Sequence, residues 1–242
     1  MLKHRIIPVL LFDSKFQCVK PVSFGRPYRK LGPIEQYIKV MERRSIDEII
    51  LLDITATAEG REPNTKRIRE ITSSLFCPVT YGGGISTLEH IRDCLYNGAD
   101  KVAIHAGHNI IKDACKKFGK QAIVGVVELS GYYSQAAEDC FTMELLGAGE
   151  ILLMDRFKDG TMEGYDTKLI KDATKELDVP LIICGGCKDP LDMVQAIEAG
   201  ASAVAAGSIF LYTETTPTMC ARELHNHNIP VRIHSKSEIE ID

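Results

Sequence analysis

Two glycine-rich turns carry the first sign of chemistry. Gly82-Gly83-Gly84 and Gly185-Gly186 each follow a short apolar run that reads as a buried strand. Glycines there let the backbone approach a ligand closely and turn peptide N–H groups toward it, which suits an anion. The next run after each turn ends in Ala103-Ile104-His105-Ala106 and in Ala205-Ala206-Gly207-Ser208. A strand ending in Gly-Ser before a short helix joins free N–H groups to a helix N-terminus, a seat for phosphate. Tight turns alone would also use such glycines. Two opposed seats, however, suit a long substrate carrying phosphate at both ends. Cys184-Gly185-Gly186-Cys187 has the spacing of a redox pair or half a zinc site, but no second such pair accompanies it. A strand ends there where a redox pair would open a helix, so reduced thiols and no metal are expected. Among seven histidines only His105 stands where a site would be, and the others are expected on the surface.

Such groups are far apart in the chain, so rigid elements must bring them together. Strands are expected at 5–12, 49–53, 77–81, 101–105, 122–127, 150–154, 179–184 and 203–207. Helical patterns lie near 33–44, 64–75, 87–97, 109–118, 134–147, 166–177, 189–199 and 217–228. The strands are continuous Ile/Val/Leu runs, as in a parallel sheet covered on both faces. Eight of each in strict alternation predict an α/β fold, a single (β/α)8 TIM barrel over 1–242, with a polar tail at 235–242 expected to fray. In such barrels binding groups sit at the C-terminal strand ends, and phosphate seats cluster after the seventh and eighth strands.

The chain also repeats itself at an offset of 102 positions. Glu48-Ile49-Ile50-Leu51-Leu52-Asp53 falls on Glu150-Ile151-Leu152-Leu153-Met154-Asp155. Pro78 falls on Pro180, Gly83-Gly84 on Gly185-Gly186, and Gly98-Ala99 on Gly200-Ala201. Coincidences at one offset with glycines among them favour a duplicated half-barrel.

Composition excludes several classes. The 242 residues are 45% hydrophobic and 26% charged, which argues against disorder. A net charge of −4 leaves no footprint for nucleic acid. No apolar run reaches the length of a membrane span and no signal peptide opens the chain, so a cytoplasmic protein is expected.

The residues then carry a family likeness. Arg5-Ile6-Ile7-Pro8, Leu52-Asp53-Ile54-Thr55-Ala56-Thr57-Ala58-Glu59-Gly60-Arg61 and Tyr81-Gly82-Gly83-Gly84-Ile85 come in that order. Gly98-Ala99-Asp100-Lys101-Val102, Gly147-Ala148-Gly149-Glu150-Ile151 and Asp159-Gly160-Thr161-Met162-Glu163-Gly164-Tyr165-Asp166 follow. Together they resemble the cyclase (HisF-type) subunit of imidazole glycerol phosphate synthase, from residue 4 to about 210. The resemblance implies a lyase-type synthase subunit without a cofactor, fed with ammonia by a class I glutaminase (HisH-like) docked on the N-terminal face of the barrel. It implies an ammonia gate at Arg5, Glu48, Lys101 and Glu150, with Asp100 at the partner interface. It implies phosphate ligands at Gly84, His105, Asp159, Gly160, Gly186, Gly207 and Ser208.

The same comparison exposes departures. Leu11 stands where the family carries the first-strand aspartate that moves protons, so Asp13 can take over only if a slip turns it inward. The second family carboxylate is Glu128. His105-Ala106 replaces an Asn-Thr/Ser pair, and only 22 positions separate Glu128 from Glu150, where the family has a longer insertion. An altered mouth above a kept gate resembles a paralogue branch found with a glutaminase and an N-acetyl sugar amidotransferase, which places acetamidino groups on sugars of surface polysaccharide (lipopolysaccharide). Members of that branch resemble this chain in the run at 59–64 and the Ala-Ala-Gly-Ser ending. Three readings stay open: a synthase subunit using the ammonia itself, a barrel that only activates the glutaminase and conducts ammonia onward, and the histidine-pathway cyclase.

Overall fold

The computed structural model describes residues 3–21, 28–105, 110–129 and 131–233. The tail at 235–242, Ala106, His108 and His234 therefore lie outside the described residues. Strands β1 (Arg5–Phe12), β4 (Ile49–Asp53), β5 (Val79–Gly82), β6 (Lys101–His105), β7 (Ile123–Glu128), β8 (Glu150–Met154), β9 (Leu181–Cys184) and β10 (Ala203–Ala206) pair in parallel. The pairing of β10 back onto β1, Arg5 opposite Ala203, closes them into an eight-stranded barrel. Helices α1 (Ile34–Arg43), α2 (Thr65–Thr72), α3 (Leu88–Tyr96), α4 (Ile111–Phe118), α5 (Tyr133–Leu145), α6 (Thr167–Thr174), α7 (Pro190–Glu198) and α9 (Pro217–Asn226) alternate with them. A short α8 (Ser208–Tyr212) follows β10. This is the expected (β/α)8 TIM barrel.

Period-two patterning splits the apolar residues into two cores. Along β1, Ile6, Leu10 and Phe12 pack outward under the helices, while Ile7, Val9 and Leu11 belong to a separate inner cluster. The inner cluster continues with Ile50, Ala103, Val124, Val126, Leu152, Met154, Ile182, Cys184, Ala203 and Ala205. The barrel is thus filled by an apolar column that is distinct from the shell around it.

The duplication is visible in the hydrogen bonds. Ile49 donates its N–H to Pro78 and Ile151 donates to Pro180, at 3.0 and 2.9 Å. Asn64 and Asp166 cap α2 and α6 with their side chains, and Thr87 and Asp189 cap α3 and α7. A Cβ on Gly83 would lie 2.3 Å from the Asp53 carbonyl, and one on Gly185 2.5 Å from that of Asp155. Both glycines have positive φ, so close approach and backbone conformation together demand them.

One feature was not expected. Between β1 and α1 the chain forms β2 (Gln17–Pro21) and β3 (Tyr28–Pro33), a hairpin laid antiparallel on β1 with Leu11 opposite Val19.

Candidate active site at the mouth and gate at the foot of the barrel

At the foot of the column four charged side chains form a closed square. Arg5 donates to Glu48 at 2.7 Å and to Glu150 at 2.5 Å. Lys101 reaches Glu48 at 3.1 Å and Glu150 at 2.7 Å. Alternation of sign leaves no like pair adjacent, and Thr80 donates a further hydrogen bond to Glu48 at 2.8 Å. Burial pulls Glu150 upward, but Arg5 and Lys101 together hold its carboxyl below the usual carboxylate range. Burial likewise pulls Arg5 down, and the two glutamates raise it overall. The same period-two parity that points Ile7 and Ala103 inward points Arg5 and Lys101 inward. Asp100, one residue before Lys101, is exposed and accepts a hydrogen bond from the Val79 N–H at 2.8 Å.

At the top the column opens into a cavity of about 560 Å³. Leu11, Leu52, Gly82, Gly83, Gly84, His105, Glu128, Met154 and Arg156 are among its walls. Gly84, His105 and Glu128, distant in sequence, are thus brought to one mouth. Glu128 lies 3.1 Å from Arg156 and 3.7 Å from His105. His105 first and Arg156 with it hold the Glu128 carboxyl below its ordinary value, against burial. Asp53, at the rim, is committed: Arg61 grips it through two nitrogens at 3.0 and 3.1 Å.

The second glycine turn builds a separate pocket. Asp159, Gly160, Gly186, Gly207 and Ser208 converge on it. The Ser208 hydroxyl is buried there and has no hydrogen-bond partner among the described residues. A buried polar atom without a partner is costly, and an anion in the pocket would supply one. Ser208 also opens the short helix α8.

Asp13 does not take the place that Leu11 vacates. It follows β1 and its carboxylate accepts the N–H groups of Lys15 and Gln17 at 3.0 and 3.1 Å, with Lys30 at 3.2 Å. Those bonds fold the turn into β2, and Asp13 is absent from the walls of the mouth cavity, to which Leu11 contributes. Cys184 and Cys187 are both buried free thiols. Burial pushes Cys184 up to about 12 and Cys187 higher still, which disfavours the thiolate needed for redox or metal chemistry. Among the described residues no helix is long and apolar enough to cross a membrane.

Comparison with known proteins decides the kinship. The profile of the family described as "Histidine biosynthesis protein" matches residues 5–216. The imidazole glycerol phosphate synthase subunit named hisF2 in Campylobacter jejuni is 35% identical over 96% of this chain and 100% of its own length. Its namesake in Pseudomonas aeruginosa is 34% identical over 88% of this chain and 92% of its own. Imidazole glycerol phosphate synthase subunit HisF of Endomicrobium trichonymphae is 36% identical over 96% of each chain. The chain belongs to the histidine biosynthesis protein family, as a HisF-type member.

This HisF-type barrel holds functional candidates that its sequence did not single out. Lys20 on β2 is buried and reaches Asp159 at 2.6 Å. Its ammonium lies beside Gly207, so the hairpin carries a cation to the rim of the second pocket. Arg156 enters the mouth from the turn after β8 and meets Glu128. Thr80 belongs with the charged square of the HisF-type foot. Lys20 gave no signal because its hairpin gave none. Thr80 was signalled only by lying two residues before Gly82 on an inward-facing parity.

Proposed function

We propose that this chain is the ammonia-using subunit of a two-component glutamine amidotransferase. A class I glutaminase docks on the N-terminal face around Asp100, and ammonia enters past Arg5, Glu48, Lys101 and Glu150. It crosses the apolar column to a phosphate-bearing substrate whose anion sits against Gly186, Gly207 and Ser208. The observation that carries this reading is the closed square of charges at the foot of an otherwise apolar column that opens into a cavity at the top. Ammonia released to water at neutral pH would mostly become ammonium, which has no lone pair to attack a carbon. An apolar passage favours the neutral molecule, because desolvating a charge is far costlier. Parting one pair of the square admits a small neutral molecule while the other pairs keep water out.

Leu11 in place of the family acid and the short connection after Glu128 support the branch serving acetamidino-sugar synthesis, with an N-acetyl sugar amidotransferase as a further partner. The kept carboxylate of Glu128 and the second pocket favour a mouth that does chemistry over a passive conduit. They equally support the histidine-pathway cyclase as the second reading. The test is the glutaminase rate of the cognate partner with and without the barrel, followed by ammonia-dependent turnover of the histidine-pathway ribonucleotide. Stimulation without that turnover supports the sugar branch, and stimulation with it supports the histidine pathway. No complex and no stimulation would remove the ammonia reading.

A further inference from the structure

The mouth contains five titratable side chains among its described walls: Tyr28, Asp53, His105, Glu128 and Arg156. Four of them are unsuited to moving a proton at neutral pH. Asp53 is locked by two hydrogen bonds from Arg61 and accepts the N–H groups of Thr55 and Ala56 at 3.1 and 3.0 Å. Glu128 is kept anionic between His105 and Arg156, so it is a weak base and no reservoir of acid. Arg156 is a guanidinium and Tyr28 a phenol, and neither carries the basic ring nitrogen of an imidazole. The position opposite, on β1, holds Leu11, which has no proton to give. An imidazole ordinarily changes charge between about pH 5 and 8.

We propose that His105 is the proton-transfer group of the mouth, held to the task by Glu128 and Arg156. The register supports a fixed relationship: His105 ends β6, opposite Val126 of β7, and Glu128 follows two residues later on the same inward parity. His105 is half exposed toward the cavity, at 51%, so its ring can reach a bound molecule. Among the described walls of the cavity the other titratable groups are Glu128 from β7, Arg156 from the turn after β8, Asp53 from β4 and Tyr28 from β3.

The assignment rests on ammonia reaching the mouth and on the histidine-pathway reading, in which the mouth itself uses it. There its lone pair forms a C–N bond to an electrophilic carbonyl carbon of the substrate, and the C=O π pair moves onto oxygen. The imidazole takes a proton from the nitrogen and delivers it to the oxygen, twice in all. The oxygen departs as water and a C=N bond remains, so atoms and charge balance and the ring returns to its neutral form. Glu128 is a positioning residue in this scheme: its negative charge stabilises the imidazolium that forms between the two transfers. A single group does what two opposed carboxylates would otherwise share.

The experiment supplies ammonium chloride directly, with the histidine-pathway ribonucleotide as the probe, and follows rate against pH after correction for free ammonia. His105→Ala is expected to lower the rate about 100-fold or more. It should also abolish the rise of the pH profile near neutrality, with part of the rate restored by imidazole in the buffer. The ring resonance of His105 is expected to titrate in the neutral range, with a midpoint that falls in Glu128→Gln. An unaltered profile in His105→Ala, no imidazole rescue, a ring that does not titrate between about pH 5 and 8, or no turnover by the wild-type chain would each overturn the assignment. Because ammonium chloride bypasses the glutaminase, failure of docking is seen separately, as missing stimulation beside intact ammonium-dependent turnover.

Discussion

Glu48 and Glu150 occupy equivalent places in the two half-barrels, and each is gripped by the same two cations, Arg5 and Lys101. The half-turn of the barrel thereby puts two copies of one carboxylate across the axis, with the cations between them. Removal of one cation leaves every anion a partner: without Lys101, Glu48 keeps Arg5 and Thr80, and Glu150 keeps Arg5. Lys101→Ala is therefore expected to fold, with a loss of about 1–3 kcal/mol by thermal or urea unfolding. In the complex it should leak ammonia to the buffer, measured as free ammonium per glutamine hydrolysed. Loss of the fold, or coupling as tight as wild type, would count against a gate.

Ser208 offers a test of the second pocket. Its hydroxyl has no partner in the described structure, so Ser208→Ala should cost nothing in phosphate-free buffer and can even raise the melting temperature. The same change should weaken binding of inorganic phosphate by about fivefold, the worth of roughly one hydrogen bond. Ser208→Glu should abolish it by placing a negative charge in the seat. Calorimetric titration that shows equal phosphate affinity in all three proteins would remove the seat.

The foot of the barrel also exposes Phe76, 97% accessible in the turn before β5, where its N–H is held by Glu42. An exposed phenyl ring at the same end of the barrel as the charged square is what a docking partner would cover. Phe76→Ser is expected to leave the melting temperature within about 1 °C, since no packing is lost, and to weaken glutaminase binding at least tenfold by surface plasmon resonance. Unchanged affinity would place the interface elsewhere.

Acid should loosen the square in a defined direction. The folded Glu150 carboxyl is held below its unfolded value, so its stabilising contribution is present above the unfolded value and is lost as pH falls through the folded one. Glu128 acts in the same sense. Thermal midpoints from pH 7 to 3 should fall more steeply for the wild type than for Glu150→Gln, whose curve starts lower and flattens. Parallel curves would show that Arg5 and Lys101 do not favour the charged form.

The eight barrel strands were legible because most are runs of branched apolar residues and all alternate with helical patterns, and the expected and observed spans differ by at most a few residues. The hairpin β2–β3 was not legible. Gln17-Cys18-Val19-Lys20-Pro21 is short, has its polar residues three positions apart where a strand would alternate, and is closed by a proline, and its pairing is to β1, not to a neighbour in a helix-separated series. With the hairpin hidden, Lys20 could not be placed near Asp159. Gly84 and His105 were legible from strand ends and Glu128 through the family resemblance, and parity and barrel closure bring the three to one mouth. The fate of Asp13 did not, because an Asx-type turn competes with inward parity and wins through two backbone N–H groups.

The glycine turns that recur in both halves have one more consequence. Gly83 and Gly185 nest against the carbonyls of Asp53 and Asp155, so each turn is pinned by main chain. The side chains that give the mouth its character, His105, Glu128 and Arg156, take no part in that pinning. Recognition in this barrel is consequently a removable layer on a scaffold that does not depend on it. Selection, or an engineer, can rewrite the layer one residue at a time while the chain goes on folding.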